Sequence, residues 1–81
     1  MRIAFSKKAL NDYLELPREL KEKADKQFSL IIKNFRHLSI HAKKYNKVLN
    51  LWQGRIDKNY RFFFNIETDV VFVVTIIKHP K

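Results

Sequence analysis

From Val48 onward the chain is made largely of β-branched and aromatic residues, and this limits its fold more than any other feature. Three such runs, 48–56, 60–66 and 70–77, are separated only by Asp57-Lys58-Asn59 and Glu67-Thr68-Asp69. Runs of this composition predict strands, and polar triplets that short leave room only for hairpins, so the second half reads as a three-stranded antiparallel meander. One face of that sheet has to be covered by the remaining residues.

The first half supplies the cover. Arg2 to Phe5 reads as a short strand joining the sheet, and Ser6 is placed to cap a helix starting at Lys7. Leu10, Tyr13 and Leu14 recur at helical spacing before Pro17 ends this helix and, as the first residue of the next, starts a second. In the second helix Leu20, Ala24, Phe28, Ile31, Ile32 and Phe35 form one apolar stripe, running to about Arg36. A link this short makes the helices an antiparallel hairpin, and their joint apolar face meets the sheet. The expected class is α+β, with order β-α-α-β-β-β and a single domain over 1–81.

Residues 37–47 show no period and carry His37, His41, Lys43, Lys44 and Lys47, which reads as a solvent-exposed, basic connection with room for an extended piece. The chain holds 17 Lys and Arg against eight Asp and Glu, a net charge of +9. Residues 1–32 carry seven basic and five acidic side chains, residues 33–81 ten and three. An excess concentrated in one half attracts a polyanion, nucleic acid above all, whereas solubility alone has no need of the asymmetry. The lack of Cys excludes disulfides and thiolate chemistry, and no apolar run nears the ~18 residues of a membrane span, so the expected setting is the cytoplasm. Neither a metal-ligand spacing nor a Gly-rich phosphate loop occurs, so no cofactor and no metal are expected.

Alternation along 60–66 puts Tyr60, Phe62, Phe64 and Ile66 on the core side and Arg61, Phe63 and Asn65 on the other. With Asp57-Lys58-Asn59 as a three-residue loop, Ile56 faces Tyr60 and Arg55 faces Arg61 on the open face. Opposed arginines repel by roughly 0.2–1 kcal/mol, so the pair is best satisfied by a bridging anion such as phosphate. A bulge at Gly54 would shift this pairing by one residue and part the arginines. His79 shares parity with Thr75 and Ile77, and its imidazole suits proton transfer. No Asp or Glu lies between Asp25 and Asp57, so a general base near the first meander strand would be His41, a Lys or His79.

Leu51-Trp52-Gln53-Gly54-Arg55-Ile56, Tyr60-Arg61-Phe62-Phe63-Phe64 and Ile77-Lys78-His79, set in this order of elements, resemble the RelE/ParE superfamily of toxins from type II toxin–antitoxin modules. The resemblance implies a toxin that inhibits translation as a metal-independent, ribosome-dependent mRNA endoribonuclease, the ribose 2′-OH attacking the adjacent phosphate. ParE-like members instead poison DNA gyrase, and an inactive antitoxin- or nucleic-acid-binding relative is a further alternative. By the same resemblance Arg61 binds the phosphate, Arg55 is its basic neighbour and His79 is the acid or base. Lys43, Lys44, Lys47, Lys58 and His41 would hold RNA, and an acidic antitoxin would be the partner. Many nuclease members carry a Tyr or acidic residue close to the final His; here Phe63 or Tyr45 is left to stack a base.

Overall fold

The computed structural model describes residues 1–34, 37 and 40–78. The chain runs β1 (Arg2–Phe5), α1 (Lys7–Leu14), α2 (Arg18–Lys33), β2 (Lys43–Asn46), β3 (Leu51–Arg55), β4 (Tyr60–Glu67) and β5 (Val70–Lys78). All five strands form one sheet in the order β1-β5-β4-β3-β2. The meander is β3-β4-β5, as the composition predicts. Two features go beyond that expectation: β1 pairs in parallel with β5, so the sheet is mixed, and part of the basic connection folds as β2 on the opposite edge. Nor is the connection wholly exposed, because Ile40 is fully buried in the core.

Ser6 ties the first turn to the sheet. Its hydroxyl accepts from the Ala9 N–H at 2.9 Å and donates to the Val74 carbonyl at 2.6 Å, meeting one of the orphan amides that every helix start presents. Beyond Phe5, the edge of β5 has lost its strand neighbour, and α1 takes its place. The Asp12 carboxylate accepts from the Ile76 N–H at 3.1 Å and from the Thr75 hydroxyl at 2.9 Å, supplying an acceptor to an otherwise open strand edge. Burial, the largest single influence, opposes ionisation of Asp12, but Ile76, Lys8 and Thr75 together outweigh it and hold the carboxyl below its ordinary value.

Lying along an edge, α1 is covered on a narrow strip. Ala9 is buried and Tyr13 half-buried, while Leu10 and Leu14, expected to pack inward, remain exposed. The Tyr13 hydroxyl donates to Asp25 at 2.7 Å and so joins the two helices. Pro17 sits one residue earlier than its sequence suggests, as the N-cap of α2 with extended geometry, where its carbonyl accepts from the Leu20 and Lys21 N–H groups. Buried Ala24, Phe28 and Ile31 bear out the stripe on α2, with Leu20 and Ile32 packed at its margin. Phe35 and Arg36 lie outside the described residues. Among the described residues no helix is long and apolar enough to cross a membrane.

The centre of the core is aromatic. Phe28 meets Phe5 and Phe62 edge-on at 5.2 and 5.1 Å, the favoured arrangement for paired rings, and Phe62 and Phe64 are fully buried on the helix-facing side of β4. Gly54 lies opposite Phe62 in an unbroken β3–β4 register. It does not mark a bulge. A Cβ at Gly54 would lie 2.5 Å from the Phe62 ring, so glycine is present because the aromatic ring crosses its backbone. The register shifts occur elsewhere, at Phe63/Phe64 against β5 and at Lys44/Asn46 against β3.

Candidate functional site

The β3–β4 hairpin sets the site. Its register places Arg55 directly opposite Arg61, as a three-residue loop at Asp57-Lys58-Asn59 predicts, and the two side chains differ in how they are held. Arg61 is only 9% exposed. Its Nη1 donates to the Asp57 carbonyl at 2.7 Å and the Tyr60 carbonyl at 3.2 Å, so one end of the guanidinium braces the turn. Arg55 has looser support: Nη1 is 3.4 Å from His41 Nε2, and its buried Nε has no hydrogen-bond partner among the described residues. A buried donor left in that state is costly and accounts for itself best as one that a ligand satisfies.

The backbone beneath Arg55 is better fixed than its side chain. Gln27, a buried polar residue on α2, donates through Nε2 to the Arg55 carbonyl at 2.8 Å, which anchors the end of β3 to the helix layer. His41 adopts a left-handed backbone, φ 53°, uncommon for a residue with a side chain. This bend leads the chain into β2 with the imidazole turned toward Arg55.

His41, Ala42, Lys43, Gln53, Arg55 and Arg61 line a cleft of about 380 Å³. Among the described residues, two guanidinium groups, one lysine and an imidazole line it, and no carboxylate does. Asp57, in the turn of the same hairpin, is engaged elsewhere: it accepts from the Asn59 and Tyr60 amides at 2.8 and 2.9 Å and pairs with Lys23 at 3.5 Å. Burial opposes its ionisation most strongly, yet those amides and Lys23 prevail and hold its carboxyl below the ordinary range. A larger hollow of about 630 Å³ at the far end of the sheet contains Arg2 together with Glu67 and Asp69. Its two carboxylates outnumber its one cation, so of the two hollows the smaller cleft is the more electropositive.

The other basic candidates disperse. Lys44 lies over the Trp52 ring at 4.7 Å and donates to Asn50 at 2.7 Å, on the opposite side of the sheet from the cleft. Lys47 is exposed in the β2–β3 turn and Lys58 at the tip of the β3–β4 hairpin. His79 lies outside the described residues. Two contributors were missed by the sequence reading. Gln53 shares the parity of Arg55 and could have been placed by it, while Gln27 interrupts the apolar stripe of α2 between Ala24 and Phe28 and could have been noticed as a polar residue at a core position.

A family model described as ParE toxin of type II toxin-antitoxin system, parDE, matches residues 3–81. None of the curated proteins compared matches the chain. Among solved structures the chain is similar to the YoeB/ParE toxin from Agrobacterium tumefaciens, with TM-score 0.82 and 14% identity, covering 99% of this chain and 100% of that one. It is also similar to the YoeB-YefM complex from Staphylococcus aureus, with TM-score 0.80, 18% identity and 99% and 98% coverage. The intact E. coli RelBE toxin-antitoxin complex gives TM-score 0.78, 18% identity and the same two coverages. At such identities the likeness is one of fold.

Proposed function

Because the chain belongs to the ParE toxin family of type II toxin–antitoxin systems, we propose that it acts as a toxin by cutting mRNA on the ribosome, at a phosphodiester held between Arg55 and Arg61. The observation that carries this reading is the opposed arginine pair, one member with a buried Nε that has no partner among the described residues, in a cleft that no described carboxylate lines. Two guanidinium groups facing one pocket suit the charge that grows on the non-bridging oxygens as phosphorus becomes five-coordinate, and stabilisation of that kind is the largest part of catalysis for many enzymes.

In this mechanism the ribose 2′-oxygen bonds to phosphorus while the bond to the 5′-oxygen breaks, leaving a 2′,3′-cyclic phosphate and a 5′-hydroxyl. His41 is the imidazole at the cleft and takes the 2′ proton. His79, by the resemblance of its motif, returns a proton to the departing 5′-oxygen. Lys43 holds a flanking phosphate. An acidic antitoxin is the partner we assign: the S. aureus and E. coli relatives are seen in complexes with antitoxins, and a chain of net charge +9 complements an acidic peptide.

The matched family carries the ParE name, which favours DNA gyrase inhibition as the second reading. Mapping new RNA ends on translating ribosomes separates the two. Wild-type protein should cut, and Arg55→Met and Arg61→Ala, compared at equal folded concentration, should cut roughly 100-fold or more slowly. Unchanged cutting by Arg55→Met refutes the assignment of the site. Absence of cuts together with gyrase-dependent DNA cleavage establishes the second reading in its place.

A further inference from the structure

The open face of the sheet carries an aromatic pair that the arginine cleft does not use. Tyr45 on β2 leans on Phe63 of β4, ring centroids 4.9 Å apart and planes inclined by 47°. Tyr45 remains 60% exposed, whereas Phe62 and Phe64 on the other face of β4 are fully buried. One side of its ring is therefore supported and the other is open to solvent. Gln53 stands opposite Phe63, one open-face row from the Arg55–Arg61 pair, and it lines the cleft. Adjacent rows on one face are two residues apart, or roughly 7 Å, the order of the separation between a nucleotide's phosphate and its base.

We propose that this face takes one nucleotide of single-stranded RNA as a unit, with its phosphate between Arg55 and Arg61, its base stacked on Tyr45 and Phe63, and the Gln53 amide at the base edge. The proposal rests on the reading of the cleft as an RNA site, though not on cleavage. A base reaches the platform only when it is unstacked from its neighbours, which selects a single strand over a duplex. Stacking tolerates any base, because each has a π face, whereas an amide that both donates and accepts can discriminate between base edges. Lys43 lies on the same strand as Tyr45 and borders the cleft, where it meets the next phosphate along.

The test is fluorescence anisotropy with a labelled 2′-O-methyl trinucleotide, which lacks the attacking hydroxyl and cannot be cut, alongside the same oligonucleotide made abasic at its central position. Tyr45→Ala should weaken binding of the base-bearing strand roughly 10-fold or more and leave the abasic strand unaffected, and Tyr45→Phe should restore most of that loss. Equal weakening of both strands, or no weakening of either, overturns the proposal. Failure of wild-type protein to bind either strand overturns it together with the RNA reading. Base-dependent binding without cuts on ribosomes upholds this proposal and refutes the nuclease mechanism alone.

Discussion

Replacing Arg55 with Met should make the protein more stable and less responsive to phosphate, and the structure sets the size of both effects. The substitution keeps a long apolar stem and removes the charge. It relieves a like-charge pair on facing strands, Arg55 against Arg61, worth roughly 0.2–1 kcal/mol. It also removes a buried donor that has no partner among the described residues, Arg55 Nε, whose cost is about 1–3 kcal/mol. The contact to His41, at 3.4 Å, is too long to offset much of this. A net gain of about 1–2 kcal/mol raises Tm by roughly 4–8 °C for each kcal/mol in a domain of this size. Phosphate bound between the arginines stabilises wild type in proportion to RT ln(1 + [L]/Kd), so Tm climbs with phosphate in wild type and stays nearly flat in Arg55→Met. Differential scanning calorimetry in phosphate and in an uncharged-buffer control at matched ionic strength measures both. A variant that is less stable than wild type, or that keeps the full phosphate response, refutes the argument that the pair is strained in anticipation of an anion.

Three further outcomes are expected. Gly54→Ala places a methyl group 2.5 Å from the Phe62 ring and should lose about 1–3 kcal/mol, read from the urea midpoint. Gln27→Leu leaves the Arg55 carbonyl without the donor it has at 2.8 Å and should cost roughly 1 kcal/mol, with slower cutting if β3 loses its anchor; the same urea titration and the ribosome assay test it. Asp12 and Asp57 both lie below their ordinary value of 3.8 in the fold. The stability they contribute is therefore present above that pH and disappears as pH falls through their folded values, so the urea midpoint drops in acid, and Asp12→Asn and Asp57→Asn each flatten the drop.

Local rules were enough where one residue's neighbours decide its state. Alternation from Tyr60 to Ile66 assigned both faces of β4, and the loop length at Asp57-Lys58-Asn59 brought Arg55 against Arg61. Ser6 as a cap follows from its side chain and position alone. Properties set by distant partners stayed hidden. β2 is a strand because β3 offers it an edge, although Lys43 and Lys44 have little strand preference of their own. Leu10 and Leu14 show helical spacing, but whether they are buried depends on α1 lying along an edge and not across the sheet. Gly54 announces an unusual backbone need, and only the position of the Phe62 ring says which. His41 looked like one basic residue in an irregular stretch, and its turn toward Arg55 depends on a left-handed backbone that no periodicity signals.

The parallel pairing of β1 with β5 also governs when the toxin comes into being. β5 lies between β1 and β4 and supplies Val71, Val73 and Ile76 to the core, yet among the described elements it is translated last. A nascent chain that already contains both arginines still lacks the strand that joins its two ends, so the core forms only after β5 has emerged. Until then the hairpin bearing Arg55 and Arg61 has no backing, and an isolated hairpin is barely stable in water. The cleft between Arg55 and Arg61 is therefore complete only once synthesis has passed β5.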